Sequence, residues 1–258
     1  MGLANERFRA VNQQRARCRP VRRRSKARVW LIDKQGLPTR DMTDLRDFQQ
    51  TYARVPAEVA NWARDDGAIS LRETVRQVEP TILLGTSTVH GAFTREVVGA
   101  MSEGSGRPII FPISNPTSRI EAMPADVIAW SGGKALVATG IPVPPVEYDG
   151  VTYQIGQANN ALLHPGLGLG TTVSGASQVT AGMPLSAAKA VADQVDTTGP
   201  GASLLPPVRN LRESSAITAT VVVEAALEDG VAACKPTAPA EAVREAMWQP
   251  GYADGAAP

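Results

Sequence analysis

A chain of 258 residues with 43% hydrophobic content can bury a sizeable core, as one large α/β domain or two small ones. No run approaches the roughly 18 apolar residues of a membrane span and nothing resembles a signal peptide, so a cytoplasmic protein is expected, with no membrane as partner. The formal net charge of +1 conceals an asymmetry: residues 1–28 carry 10 of the 26 Lys and Arg but only Glu6 of the 25 acids, and the other 230 residues sum to −8. That opening lacks the apolar periodicity of an amphipathic helix and interleaves only Phe8 with its arginines, which argues against nucleic acid as a partner. It is expected to be disordered or non-homologous. Cys18 and Cys234 are far apart without C-x-x-C spacing, so both should be free thiols.

In chain order, the apolar run Val29 to Ile32 closed by Gly36 and Pro38 predicts a strand over 28–32. Residues 43–63 are mixed and partly helical. Ser70 and Glu73 have capping-box spacing and open a helix through Val78, which Pro80 ends. Thr81 to Leu84 reads as a strand, 85–91 as a loop and Thr94 to Met101 as a helix. The β-branched run Ile109 to Ile113 reads as a buried parallel strand. Ser114, Asn115, Pro116 and Thr117 stop it, and Ser118 with Glu121 forms a second capping box opening a helix up to Trp130. Ala135 to Ala138 is the next strand. Alternation of strand and helix, with connections too long for hairpins, defines an α/β fold with a doubly wound parallel sheet. A hairpin over Tyr148 to Ile155 turns at Asp149 and Gly150. The rest is helical, over about 165–174, 185–195, 210–228 and 240–247, with 199–207 as a linker.

In such sheets ligands bind beyond the carboxyl ends of the strands, where Asn115 falls. Asp33, after its strand, has the position of an acid that hydrogen-bonds adenosine ribose hydroxyls, although an acid there is more often a plain turn residue. Gly85, Thr86, Ser87, Thr88 and Gly91 offer hydroxyls and N–H groups to phosphates or ribose, or form a simple polar loop. Gln157, Asn159 and Asn160 supply amides that both donate and accept, suited to a small acid or a carboxamide. Gly166, Gly168 and Gly170 fit close helix packing better than a phosphate loop. His90 and His164 lack metal-ligand spacing, and Asp41, Asp44 and Asp47 read as a solvated helix face.

The blocks WLIDKQGL, PTILLGTSTVHGAFT, RPIIFPISNPTSRIEAMPADVIAW, KALVATGIPVPP and GQANNALLHPGLGLG, from about Arg28 onward, resemble the cofactor-binding domain of malic enzymes. The resemblance implies a Rossmann-like fold over 29–235, followed by a C-terminal helix and tail over 236–258. Members of the family oxidise malate with NAD or NADP and a divalent metal, Mg or Mn, and decarboxylate the product to pyruvate and carbon dioxide. Position by position it implies that Asp33 binds the adenosine ribose, with Gly85, Thr86 and Ser87 also on the cofactor. Asn115 meets the nicotinamide side and malate, and Asn159 or Asn160 meets malate. Lys34 would favour NADP and Asp33 favours NAD, with NAD preferred narrowly.

The family's acid tyrosine, base lysine, metal carboxylates and glycine-rich turn precede the segment matching Val29 and have no counterpart here. Tyr52, Tyr148, Tyr153, Tyr252 and the five lysines lie outside those motifs, so no general acid or base is assigned. The usual first strand is also lacking; it would sit between the strands at 28–32 and 109–113. A truncated or frameshifted reading of a longer gene is therefore expected, inactive alone. Two functions compete: the cofactor-binding part of a malic enzyme, for which the resemblance implies a homo-oligomer, or a non-catalytic nucleotide-binding module that acts through a partner subunit.

Overall fold

The computed structural model describes residues 27–249. The basic opening through Lys26 with Cys18, and the end from Pro250 with Tyr252, lie outside the described residues. The chain divides into two compact units, one up to Pro80 and one from Thr81.

In the first unit the strand expected over 28–32 does not form. A strand requires a neighbour to take up its N–H and C=O groups, and here a side chain serves instead. The Arg54 guanidinium donates to the carbonyls of Ala27 (2.9 Å) and Val29 (2.7 Å). It also lies 3.6 Å over the Trp30 ring, which stacks on Trp62 with centroids 5.3 Å apart. Trp30, Ile32 and Trp62 thereby pack on the buried trio Leu37, Val59 and Ile69. Helix α1 spans Asp47–Gln50, a 3₁₀ turn spans Pro56–Val59, and helix α2 spans Leu71–Val78. Ser70 caps α2 by accepting from the Glu73 amide at 3.3 Å. The Glu73 carboxylate instead accepts from Ala63 N and Gln77 Nε2, so only half of that capping box is made. Of the acids expected on one helix face, Asp47 begins α1, while Asp41 and Asp44 lie in a turn and a bend.

The second unit is an α/β domain on a four-stranded parallel sheet. Strand β1 is Ile82–Gly85, helix α3 Arg95–Gly104, β2 Ile109–Pro112, α4 Pro124–Trp130 and β3 Leu136–Thr139. The antiparallel hairpin β4 (Val146–Tyr148) and β5 (Val151–Tyr153) follows, turning at Asp149 and Gly150, both at positive φ as a two-residue type I′ turn requires. A short strand β6, Gly156–Gln157, then rejoins the main sheet, whose order is β1-β2-β3-β6. Ile82 pairs with Ile109, Ile109 with Leu136, and Ala138 with Gly156. Leu83, Ile110, Val137 and Ala138 on the strands are buried, as are Val97, Val98 and Met101 on α3 and Val127 and Ile128 on α4.

Two expectations are corrected here. Strand β2 is flanked by β1 and β3, so a missing strand cannot sit beside residues 109–113; among the described residues the edge strands are β1, whose Ile82 and Leu84 are exposed, and β6. The second capping box is not formed either. Thr117–Arg119 make a 3₁₀ turn, and α4 starts at Pro124, whose ring supplies a helical φ and lacks the N–H that a first turn leaves orphaned.

The remainder is helical: α5 His164–Ser174, α6 Gly182–Ala192, α7 Leu211–Glu228 and α8 Pro239–Ala246. Met183 and Ala187 of α6 pack on Val222, Ala225 and Ala226 of α7, and Val243 of α8 packs on Ala216, Ala219 and Val223. Gly166 and Gly170 form the contact face of α5. A Cβ at Gly166 would lie 2.5 Å from Thr218 Cβ, and one at Gly170 would lie 2.6 Å from the Ala219 carbonyl oxygen. At Gly168 it would meet nothing, so the alternate-glycine run is helix packing.

Candidate functional site at the carboxyl edge of the sheet

Because all four strands run the same way, the segments that follow them emerge on one edge of the sheet. Residues 86–91 follow β1, Ile113 to Pro116 follow β2, and Ala158 to Asn160 follow β6. Adjacent strands are about 4.8 Å apart, so the loop after β1 lies one strand from the β2 segment and the β6 segment about 10 Å away on the other side.

Asn115 is exposed on this edge, and its amide makes no hydrogen bond among the described residues. Thr86 is likewise exposed with an uncommitted hydroxyl. The two asparagines after β6 differ. Asn159 Oδ1 accepts from the Ala161 amide at 2.9 Å and caps the 3₁₀ turn Asn160–Leu162, while the exposed Asn160 amide has no such partner. Gln157 donates through Nε2 to the Gly140 carbonyl at 3.3 Å, so it fastens β6 to the segment after β3.

The residue that motif spacing misassigned is the centre of this edge. Glu121 is fully buried. Its Oε1 accepts from Ser114 Oγ (2.6 Å), Ser87 N (2.8 Å) and Ser87 Oγ (2.9 Å), and its Oε2 from Ser114 N (3.3 Å). Burial pushes its carboxyl upward, but the hydrogen bonds from Ser114 and Ser87 outweigh that and hold it below the ordinary glutamate range. Gly85 makes room for it: a Cβ there would come within 2.6 Å of the Glu121 carboxyl carbon. Gly85, buried, and Ser87, exposed, thus both adjoin Glu121. A buried carboxylate seven residues after Ser114 has no periodic signature, which is why spacing alone read it as a cap.

Asp33, in the first unit, sits in a tight turn and not at the end of a strand: its N–H and C=O both pair with Gly36. Its carboxylate accepts from Gln49 Nε2 (2.6 Å) and Lys34 N (2.7 Å) and stays exposed. His90 is exposed in the loop after β1 and His164 begins α5. Among the described residues no three His, Cys, Asp or Glu side chains come together to hold a metal ion. No described helix is long and apolar enough to cross a membrane.

A parallel sheet with uncommitted amides and hydroxyls along its carboxyl edge defines an α/β domain of the nucleotide-binding class. The family model described as malic enzyme, NAD binding domain, matches residues 1–227, and the chain belongs to that family. The match takes in the arginine-rich opening as well as the region from Arg28. NAD-dependent malic enzyme 3 of Bacillus subtilis is 52% identical over 227 residues, which cover 87% of this chain and 40% of the relative. A malolactic enzyme of Leuconostoc mesenteroides is 42% identical over 252 residues, or 98% of this chain and 45% of that protein. The crystal structure of Entamoeba histolytica malic enzyme superposes with a TM-score of 0.61 at 22% identity, covering 83% of this chain and 40% of the other, and supports the fold. The chain thus spans less than half the length of these proteins.

Proposed function

We propose that the chain is the cofactor-binding part of an NAD-dependent malic enzyme, acting in oxidation and decarboxylation of malate to pyruvate. The observation that carries this reading is Asn115, an exposed amide with no hydrogen bond among the described residues at the carboxyl end of a central strand, in a member of the malic enzyme family. An amide can accept from and donate to the nicotinamide carboxamide, and beside it can hold a malate oxygen. Asn160 is the better candidate for malate than Asn159, whose oxygen is already engaged. The Thr86 hydroxyl suits a ribose or phosphate oxygen. Gly85 and Ser87 act behind it by seating Glu121, and the Asp33 carboxylate retains lone pairs for ribose hydroxyls.

NAD, when bound, supplies the acceptor for the hydride leaving malate C2. The residues of this chain bind and orient; they hold the reacting carbons together, the proximity part of catalysis. The described residues offer no set of ligands for Mg or Mn. Taken alone, the chain is expected not to turn over malate. An exposed free thiol at Cys234 accords with a cytoplasmic setting, and homo-oligomerisation is part of the same reading.

Titration with NADH followed by nicotinamide fluorescence tests the proposal. Binding is expected, and Asn115→Ala should weaken it by about threefold to tenfold, the worth of one neutral hydrogen bond. No binding of NADH or NADPH would sink it. With malate, manganese and NAD no reduced cofactor should accumulate above background; turnover abolished by Asn115→Ala would show that the chain holds its own acid and base. A second reading, a nucleotide-binding module completed by a partner subunit, draws on the free side of β1 with its exposed Ile82 and Leu84. Concentration-dependent NADH affinity would favour it.

A further inference from the structure

We propose that Glu121 is the positioning residue of the carboxyl-edge site: its carboxylate locks the loop after β1 to the segment after β2 and thereby sets the orientation of Asn115 toward the nicotinamide. The inference rests on the cofactor reading above.

A buried carboxylate is costly unless its charge is compensated, and the usual compensation is a cation. Glu121 uses four neutral donors instead, two from each of two segments that follow neighbouring strands. The serine hydroxyls are fully determined by this arrangement. Ser114 Oγ donates to Glu121 and accepts from the Thr88 amide at 2.9 Å; Ser87 Oγ donates to Glu121 and accepts from the Val89 amide at 3.1 Å. An ionised carboxylate only accepts, so it fixes both hydroxyl protons and leaves both serine oxygens free to receive backbone N–H groups. The backbone beside it continues the lock, since Gly91 N donates to Ile120 O (3.2 Å) and Phe93 N to Glu121 O (3.0 Å). Ser114 is adjacent to Asn115, so the angle at which Asn115 leaves the sheet is set by a residue that no ligand touches. Glu121 is fully buried, so it acts through the serines and is not a catalytic residue.

Glu121→Gln replaces an acceptor-only group with one that presents a donor to one of the serine groups. The full chain and this variant are titrated with NADH and with ADP-ribose, which lacks the nicotinamide, and the amide hydrogen exchange of both proteins is followed by NMR. The expected result is a fall in NADH affinity of about tenfold with a fall of no more than about threefold in ADP-ribose affinity, the share that Thr86 carries, together with faster exchange at Ser87, Thr88 and Ser114. A merely structural glutamate would lower both affinities equally, and that outcome, or unchanged NADH affinity, overturns the proposal. A wild-type chain that binds neither ligand overturns the cofactor reading instead; exchange then decides the lock, and unchanged protection at Ser87 and Ser114 overturns it. If Glu121→Gln does not fold, Ser114→Ala, which removes one hydroxyl donor and the Thr88 acceptor, should give the same split between the two ligands, and no split overturns the proposal.

Discussion

Gly168 and Gly170 lie on one helix, two residues apart, and adding one methyl group should stabilise the chain at the first and not at the second. At either position alanine gains about 1 kcal/mol over glycine from helix propensity. At Gly168 nothing opposes it, because the new Cβ meets no atom within 4 Å. At Gly170 the Cβ falls 2.6 Å from the Ala219 carbonyl oxygen and 2.7 Å from Val222 Cβ and Cγ1, well inside ordinary contact. The carbonyl belongs to the α7 backbone and cannot swing aside, so the two helices must separate, an overpacking cost of about 1–3 kcal/mol. Gly168→Ala should therefore stabilise by about 1 kcal/mol, and Gly170→Ala should range from neutral to about 2 kcal/mol destabilising. In a chain of this size each kcal/mol is about 2–4 °C in Tm. Urea unfolding of the two variants beside the wild type measures the difference, with NADH titration as a control that should not change. Equal stabilisation by both alanines would refute the close approach of α5 and α7, and loss of NADH binding in Gly168→Ala would return this segment to the cofactor.

Glu121 makes stability depend on pH in a definite direction. Its folded carboxyl is held below the ordinary value of 4.5, so its contribution is complete above that value and is lost as pH falls through the lower folded value. Urea midpoints measured between about pH 6 and pH 3 should fall more steeply for the wild type than for Glu121→Gln. Asn160→Ala should weaken malate binding to the NADH-loaded chain, whereas Asn159→Ala should mainly lower stability, by about 1 kcal/mol for the lost cap; equilibrium dialysis and thermal melts separate the two. Thr218 Oγ1 is buried without a hydrogen-bond partner among the described residues, so Thr218→Val should raise stability by about 1 kcal/mol in the same urea assay.

The sheet was legible because its strands carry their signal locally. Ile109 to Pro112 and Leu136 to Thr139 are short β-branched runs bounded by turn residues, and the α3 cap at Thr94 and the Asp149-Gly150 turn depend only on near neighbours. Two of the failures share one cause. Val29 to Ile32 is as apolar as those strands, but a strand exists only beside another, and pairing is not written in the run itself. Instead Arg54 supplies its carbonyls with donors and Trp62 covers Trp30. Ser118 and Glu121 have the spacing of a cap, but the carboxylate finds better donors 34 residues back in the chain, at Ser87. Spacing also could not distinguish Asn159, spent on its own backbone, from Asn160. For Val29 and Glu121 the decisive partner is remote in sequence; for Asn159 it is the Ala161 amide two residues on, which a neighbouring asparagine could equally have taken.

The fit of Gly85 against Glu121 has a consequence for how this sequence can drift. Any side chain at position 85 would evict the carboxylate, and once the carboxylate is gone Ser87 and Ser114 lose the acceptor that fixes their protons. Four positions spread over 37 residues are thus a single heritable character. Among relatives, a change at one should appear only with compensating changes at the others, whereas the exposed positions between them, other than the ligand-facing Thr86 and Asn115, are free to vary.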